Sequence, residues 1–247
     1  MRIHGFYGIV DIDLGPQPRP EPEPEPEPKL EPELELESSW LERARELTEA
    51  LIAGQASVLQ LRMKRASTRE LLNTAVMVRD LTRAAGVGLV VNDRLDVALA
   101  ANADGVHLGQ EDLPLQAARQ ALRACGRSLL VGVSTHDLEQ IADAVRNGAD
   151  YLGFGPVFAT TTKAGAIAPR GIEALREAVI AAGHVPVVAI GGITPARAPE
   201  IAVAGAVAAA AVAAVNHAPS IVTAAKTIAR AFAGQGDRDR DRDRDRD

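Results

Sequence analysis

The sequence predicts an α/β protein that folds as a single (β/α)8 barrel, the TIM-barrel architecture. Short apolar or β-branched segments recur along its 247 residues, and segments with helical periodicity separate them. Such helical crossovers are what parallel strands need. Polar residues follow nearly every apolar segment, and barrel enzymes carry their active sites at these carboxyl ends of the strands. An open, doubly wound sheet is the main alternative, and the recurrence of polar strand ends is why we favour the barrel.

Eight predicted strands alternate with the predicted helices. Several strands are apolar on both faces, which is typical of a buried parallel sheet. The predicted strands are residues 6–11, 58–62, 88–92, 105–108, 129–133, 151–155, 187–190 and 206–212. The predicted helices are residues 40–53, 68–85, 94–101, 115–124, 137–147, 172–182, 195–204 and 218–232.

Two segments have compositions that exclude them from a packed core. Residues 15–37 alternate Pro with Glu, which offers no apolar face and blocks helix and sheet hydrogen bonds. We predict polyproline II or disorder there, and a solvated tail for the Asp-Arg repeat. The predicted organisation is therefore a first barrel strand in residues 1–14, an insert in 15–37, the rest of the barrel in 38–235 and a tail in 236–247.

Composition limits the classes of function. Apolar residues make up 47% of the chain, enough for a sizeable core. No apolar run is a convincing membrane span, and the first eleven residues lack the pattern of a signal peptide. Cys125 is the single cysteine, which excludes an internal disulfide framework. We expect a cytoplasmic protein without a membrane partner.

Net charge is informative once the two biased segments are set aside. Residues 21–37 hold eight Glu and one Lys, and residues 237–247 hold six Asp and five Arg. These segments carry −7 and −1 of the total of −6, so the rest of the chain carries about +2. A mildly basic folded part suits small anionic substrates. It lacks the concentrated basic face that nucleic-acid binding requires, so no nucleic-acid partner is expected.

The second predicted strand ends in a cationic motif, QLRMK. A period of two places Gln60, Arg62 and Lys64 on one face, which in a barrel is the interior near its mouth. Two cations buried side by side are unfavourable unless an anion neutralises them. Arg and Lys together suit a diphosphate, while a solvated strand end is the alternative interpretation.

The next two strands end in carboxylates. Asn92 and Asp93 follow the third strand, and Asp112 follows the fourth. An Asn-Asp pair alone is typical of a turn or helix cap. Two carboxylates on adjacent strand ends repel unless a proton or a cation lies between them, and Mg²⁺ prefers such oxygen ligands. We therefore predict that Asp93 and Asp112 bind Mg²⁺, and we interpret His107 as a packed core residue.

The remaining strand ends offer weaker signals. Ser134 follows the fifth strand, where an ordinary helix cap is the alternative to a binding role. Thr160, Thr162 and Lys163 lie in a long loop, either closing on phosphate or forming plain surface. Gly192 belongs to a glycine pair after the seventh strand. Loops after strands seven and eight of these barrels often bind phosphate through backbone amides, and a glycine pair permits close approach of a ligand, although a Gly-Gly turn alone is a weak signal.

Together these residues resemble the thiamine-phosphate synthase family. The resemblance covers nearly all of the chain outside the insert and the tail. Order and spacing agree across the motifs, which read YGIVD, QLRMK, NDRLDVALA, ADGVHLGQEDLP, VGVSTH, GADYLGFGPVFATTTK and PVVAIGGI.

The resemblance implies a transferase of thiamine biosynthesis. It would condense 4-amino-2-methyl-5-(diphosphooxymethyl)pyrimidine with a thiazole phosphate and release diphosphate, by way of a pyrimidine carbocation. The resemblance also implies catalytic roles for Arg62, Lys64, Ser134 and Lys163. The residues implied to contact the pyrimidine diphosphate are Gln60, Arg62, Lys64, Asn92, Ser134 and Lys163. Those implied to bind the thiazole phosphate are Thr160, Thr162, Gly192 and the amide of Val212, while Asp93 and Asp112 would hold Mg²⁺.

Two departures from the family pattern qualify this expectation. Members usually read GVAVVS near the eighth strand, where this chain reads AAAAVA, so Ala208 replaces a glycine and Ala213 a serine. We expect weaker binding of thiazole phosphate rather than its loss. The insert is the second departure, and we interpret it as inert. Because many such barrels associate, a homo-oligomer is also expected.

Two other functions compete. The thiazole tautomerase that resembles this family is expected to carry Glu in the second-strand motif, where this chain has Met63. A non-catalytic, partner-binding barrel is the other alternative. The charged residues at the predicted strand ends argue against this alternative, because a non-catalytic barrel need not keep buried cations and carboxylates.

Overall fold

The computed structural model describes residues 1–14, 32–160, 162 and 168–233. The predicted tail and most of the predicted insert lie outside these residues. Within them the chain forms a closed barrel of parallel strands, in the order β1 to β8, with β1 pairing both β2 and β8. The prediction of a (β/α)8 barrel is confirmed, and the open sheet is wrong because β8 closes against β1.

The strands and helices alternate along the described chain. The strands are β1 Gly5–Asp11, β2 Ala56–Arg62, β3 Gly88–Asn92, β4 Gly105–Leu108, β5 Leu130–Thr135, β6 Tyr151–Phe154, β7 Val187–Ile190 and β8 Ala208–Ala211. The helices are α1 Pro32–Ala53, α2 Thr68–Ala84, α3 Leu95–Ala100, α4 Leu115–Ala124, α5 Leu138–Arg146, α6 Gly171–Ala182, α7 Ala198–Val203, α8 Ala213–Asn216 and α9 Ile221–Ala231. A 3-10 turn, Pro195–Arg197, precedes α7.

Helix α1 corrects the predicted extent of the insert. It begins at Pro32, so residues 32–37 are helical rather than polyproline II or disordered. Proline is tolerated in the first turn of a helix because its missing N–H would have no intrahelical partner there. After Pro32 the sequence ELELE contains good helix formers and no further proline. The last proline of the segment is therefore the first residue of α1.

The core has two layers that follow from strand periodicity. Alternate strand side chains pack outward against the helices, with Phe6, Leu59, Leu61 and Leu152 fully buried. The other set fills the barrel interior and includes Tyr7, Ile9, Val58, Val90, Tyr151, Val188, Ala208 and Ala210. Both layers are typical of a barrel whose interior is packed by side chains. In the described part of the chain, no helix combines the length and apolarity needed to cross a membrane.

Candidate active site

The cationic end of β2 is neutralised by the chain itself. Arg62 Nη1 donates to both carboxylate oxygens of Asp11, at 3.0 and 2.9 Å, and lies 3.6 Å from Asp13 Oδ2. Lys64 Nζ lies 3.2 Å from Asp93 Oδ2, and the Lys64 side chain is 47% exposed. Each of the two cations therefore has a carboxylate of the chain as its counter-ion. Arg62 turns toward β1 and Lys64 toward β3.

Asp11 and Asp13 are functional candidates that sequence reasoning missed. Asp11 ends β1 and is buried, and burial raises the pKa of its carboxyl although the Arg62 guanidinium opposes the change. Asp13 accepts hydrogen bonds from the backbone N–H groups of Lys64, at 2.6 Å, and Arg65. The available signal was their position, because carboxylates after β1 must lie beside the QLRMK motif on the neighbouring strand.

The predicted carboxylate pair is brought together at the ends of β3 and β4. Burial raises the pKa of the Asp93 carboxyl, the neighbouring Asp112 raises it further, and Lys64 opposes the change. Asp112 Oδ2 also accepts from the Gly109 N–H at 2.6 Å. Asp93 has a φ of 63°, in the left-handed region that Asp and Asn tolerate better than most residues.

The helix-cap alternative for this pair is wrong. Arg94, not Asn92 or Asp93, is the N-cap of α3, and its side chain makes no capping bond. Asn92 ends β3 opposite His107 of β4. Among the described residues no cluster of three His, Cys, Asp or Glu could hold a metal. A Mg²⁺ ion at Asp93 and Asp112 would therefore need water and substrate phosphates as further ligands, which is its usual preference.

A polar network occupies the barrel interior below these charges. Gln60 Nε2 donates to Tyr7 Oη at 3.1 Å, and the Tyr7 and Tyr151 hydroxyls are 2.9 Å apart. His107 connects Tyr151 to Ser134, with Nδ1 3.0 Å from the Tyr151 hydroxyl and Nε2 2.9 Å from Ser134 Oγ. Burial raises the pKa of both tyrosines, so both phenols stay protonated.

This network changes the interpretation of two residues. Ser134 lies inside β5 and faces His107, so the helix-cap alternative for Ser134 is wrong. The cap of α5 is Asp137, whose side chain accepts from the Gln140 N–H. His107 lies in the interior as interpreted, but its ring nitrogens contact polar groups rather than apolar packing alone. The sequence signal was the alternation in GVHL, which points His107 to the same face as Gly105.

The loops after β6 and β7 pack against each other. Thr160 and Thr162 are linked by their hydroxyls, 3.3 Å apart. Gly192 has a φ of 61°, and a Cβ there would lie 2.4 Å from the Ala159 carbonyl oxygen, so only glycine fits. The backbone just before Thr160 therefore lies against the glycine turn. Lys163 lies outside the described residues.

Arg197 holds these two loops together and was not predicted. Its Nη1 donates to the Gly192 carbonyl at 2.6 Å, and its guanidinium lies 4.2 Å from the centre of the Phe158 ring. The Phe158 N–H in turn donates to the Gly191 carbonyl. A cation in the first turn after a glycine pair is the sequence signal that could have indicated this residue.

The end of β8 is apolar throughout. Ala208 is buried in the barrel interior, paired in register with Val188 of β7. Val212 follows the strand as the N-cap of α8 and makes no side-chain cap, and Ala213 is the first residue of that helix. The methyl of Ala213 thus stands where the family pattern has a hydroxyl.

Comparison with known proteins agrees with this geometry. The family model of thiamine monophosphate synthase matches residues 37–215. The chain is 52% identical over 184 residues to thiamine-phosphate synthase of Chloroflexus aurantiacus, covering 74% of this chain and 83% of that protein. It is 46% identical over 183 residues to that of Methanocella arvoryzae, covering 74% and 84%.

Solved structures give the same result. Thiamine phosphate pyrophosphorylase from Pyrococcus furiosus matches with a TM-score of 0.73 and 32% identity, over 93% of this chain and 96% of that one. A 3-hexulose-6-phosphate synthase, at 23% identity and a TM-score of 0.52, shares the fold. The resemblance seen in the motifs is confirmed: this chain belongs to the thiamine monophosphate synthase family.

Proposed function

We propose that this protein is a thiamine-phosphate synthase. The carbon–oxygen bond between the pyrimidine methylene and diphosphate breaks, and a carbon–nitrogen bond to the thiazole nitrogen forms. The products are thiamine phosphate and diphosphate. The observation that carries the proposal is the group of Arg62, Lys64, Asp93 and Asp112 at one side of the barrel mouth, in a chain whose relatives are synthases.

The diphosphate would bind over β2 to β5. Arg62 and Lys64 supply positive charge there. Their ion pairs with Asp11 and Asp93 fix the positions of the two side chains at the barrel mouth. Asn92 and Ser134 would donate hydrogen bonds from the neighbouring strand ends, and Lys163 would add a third cation. Gln60, deeper in the interior, would contact the pyrimidine ring.

The donor set at Asp93 and Asp112 fits Mg²⁺. Burial and the neighbouring Asp112 both raise the pKa of Asp93, and a divalent cation stabilises such a pair of carboxylates in their ionised form. When bound, Mg²⁺ would neutralise negative charge on the diphosphate. Lys64, which pairs with Asp93 in this structure, would then be released toward the substrate.

Catalysis would rest on positioning and electrostatics. Departure of diphosphate leaves a cationic methylene and collects negative charge on the leaving group. Arg62 and Lys64 stabilise that negative charge more strongly as it develops. This stabilisation lowers the activation free energy of the step. Holding the thiazole nitrogen close to the methylene carbon supplies the rest. No side chain has to act as a nucleophile.

The thiazole phosphate would bind at the loops after β6, β7 and β8. Thr160 and Thr162 offer hydroxyls, and the turn at Gly192 lets the ligand approach the backbone closely. The amide of Val212 would contribute from the end of β8. Because Ala213 lacks a hydroxyl, we expect a weaker hold on this substrate than a serine would give.

One assay tests the proposal. Purified protein is incubated with both substrates and Mg²⁺, and thiamine phosphate is measured after oxidation to a fluorescent product. Product that requires both substrates supports the synthase. Absence of product from folded protein, with substrates that a characterised synthase converts, would refute it. Conversion of one thiazole tautomer into another would instead support the tautomerase, against which Met63 and the relatives argue.

We also propose that the barrel associates with itself. Ile180 on α6 and Val203 on α7 are 79% and 77% exposed, more than any other large apolar side chain of the described residues. Light scattering coupled to size exclusion tests this proposal. A monomer of 26.0 kDa at all concentrations would contradict it.

A further inference from the structure

A continuous chain of hydrogen bonds crosses the described barrel interior beneath the proposed site. It begins at Gln60 on β2 and ends at Ser134 on β5, and Tyr7, Tyr151 and His107 connect them. Both ends are residues that the proposed function places at the substrate. The proposed function gives these connecting residues no role, yet they link two substrate contacts that lie three strands apart around the barrel.

The donors in this series of hydrogen bonds all point the same way, from Gln60 toward Ser134. Gln60 Nε2 donates to Tyr7 Oη, and the described contacts of the Tyr7 hydroxyl are Gln60 and Tyr151. Tyr7 is only 2% exposed, so its proton needs an acceptor, and Tyr151 provides it. The Tyr151 proton then goes to His107 Nδ1, because an oxygen that accepts from Tyr7 has to donate its own proton elsewhere.

This order sets the tautomer of His107. A ring nitrogen that accepts a hydrogen bond carries no proton, so the ring proton of His107 lies on Nε2. The Nε2–H donates to Ser134 Oγ, 2.9 Å away. The Ser134 hydroxyl proton is then left to donate upward, toward an anionic group. At the other end, the amide N–H of Gln60 donates to Tyr7, and Gln60 Oε1 can accept a hydrogen bond from the substrate.

The surrounding backbone leaves room for these rings. A Cβ at Gly132 would lie 2.0 Å from Tyr151 Cζ, and a Cβ at Gly153 would lie 3.1 Å from His107 Cε1. Ala210 of β8 lies beside Tyr7 in register and is small as well. Glycine at two interior positions of adjacent strands thus makes space for two polar rings, where larger apolar residues would fill a barrel interior more simply.

We propose that His107 is a positioning residue that Tyr7 and Tyr151 hold as the Nε2–H tautomer, so that Ser134 is a hydrogen-bond donor to the diphosphate substrate. The proposal rests on the proposed function for the identity of that substrate. It acts through Ser134, and it needs no contact between His107 and the substrate.

A first experiment reads the tautomer without any turnover. Nitrogen NMR of protein carrying isotope-labelled histidine distinguishes the two neutral tautomers and the cation, and a His107→Asn variant identifies the His107 signal. The expected result is the Nε2–H tautomer in the wild type. An Nδ1–H tautomer or an imidazolium at neutral pH overturns the proposal, whether or not the protein makes thiamine phosphate.

A second experiment is a double-mutant cycle on the reaction. Tyr151→Phe removes one hydroxyl and keeps the ring, and should lower kcat about tenfold, as loss of one aligned hydrogen bond would. In a Ser134→Ala background the same change should cost less than about twofold, because Tyr151 would act through Ser134. Equal losses in both backgrounds overturn the proposal, since a general packing defect would be additive.

Matched controls separate positioning from stability. Thr135→Val removes a buried hydroxyl from the next residue of β5, which bonds the Gly153 carbonyl outside this chain of hydrogen bonds. It should leave kcat and both KM values unchanged. Tyr151→Phe should lower kcat while leaving the KM for thiazole phosphate unchanged. If that KM rises by the same factor, the role is structural and the proposal fails. A wild type with the Nε2–H tautomer but no synthase activity would refute the proposed function and, with it, the role assigned to Ser134.

Discussion

Lys64 and Asp93 form an ion pair across the ends of β2 and β3, with Nζ 3.2 Å from Oδ2. The pair joins the proposed diphosphate site to the proposed metal site. Burial and the neighbouring Asp112 raise the pKa of the Asp93 carboxyl, so this one carboxylate interacts with both a cation of the chain and a second carboxylate. We expect Mg²⁺ to take the place of Lys64 at these carboxylates, so that Lys64 can pair with the substrate diphosphate.

Replacing Asp93 tests the metal role directly. Asp93→Asn keeps the size of the side chain and suits the φ of 63°, so the fold should be retained. We expect turnover to fall about 100-fold or more, because a neutral amide is a poor Mg²⁺ ligand. Steady-state rates across a Mg²⁺ titration and circular dichroism measure the two effects. Asp96→Asn, the same change at an exposed ion pair with Arg94, is the control and should be neutral. Unchanged activity in Asp93→Asn would refute the metal role.

Asp11 is expected to orient Arg62. Asp11→Asn replaces two charge-assisted acceptors by one neutral acceptor in a buried position. The free energy of unfolding should fall by about 1–3 kcal/mol, and the KM for the pyrimidine diphosphate should rise as Arg62 loses its fixed position. Urea unfolding and steady-state kinetics measure these changes. Asp80→Asn, at an exposed ion pair, should alter stability by less than about 0.5 kcal/mol. Equal effects of the two variants would contradict the assignment.

Arg197 should govern the thiazole-phosphate half alone. Arg197→Ala removes the bond to the Gly192 carbonyl and the contact with the Phe158 ring, so the two loops lose a shared clamp. The KM for thiazole phosphate should rise about three- to tenfold, corresponding to one lost hydrogen bond. The KM for the pyrimidine diphosphate should not change. Arg176→Ala on α6, which removes an exposed partner of Glu173, is the matched control. A rise in both KM values would show a wider role.

Restoring the missing hydroxyl should strengthen the same half of the site. Ala213→Ser places an O–H at the first residue of α8, where the family pattern has serine. We expect the KM for thiazole phosphate to fall about threefold or more, the effect of one added hydrogen bond to a charged group. Ala214→Ser, one residue further along α8, tests whether any hydroxyl suffices. No change in Ala213→Ser would mean that backbone amides already satisfy the phosphate.

The Pro-Glu segment should be dispensable up to the start of α1. Deleting residues 16–27 should leave turnover within about twofold, because shortening a connection changes its loop-closure entropy only slightly. Deleting residues 16–37 should reduce stability, because it also removes the first turns of α1. Activity assays and thermal unfolding separate the two deletions. Loss of turnover in the shorter deletion would show that the segment takes part in substrate binding.

Much of this protein could be predicted from local sequence. Alternation of apolar segments and helical periodicity determined the number and order of strands, and β3, β4 and β7 begin and end where predicted. Polar residues after the strands indicated the face that carries the site. Residues 15–31, Lys163 and the Asp-Arg tail lie outside the described residues, so the expectations for them stay predictions.

Only the tertiary structure decided which charges meet. Sequence patterns gave Arg62 and Lys64 a common face, but pairing with Asp11 and Asp93 depends on the register of β1 and β3 against β2. The same holds for the link from Gln60 to Ser134, whose members lie on five different strands. Periodicity specifies which face a residue occupies, because it follows from backbone geometry. Partners across a closed barrel are specified by stagger and packing, which no local stretch of sequence contains.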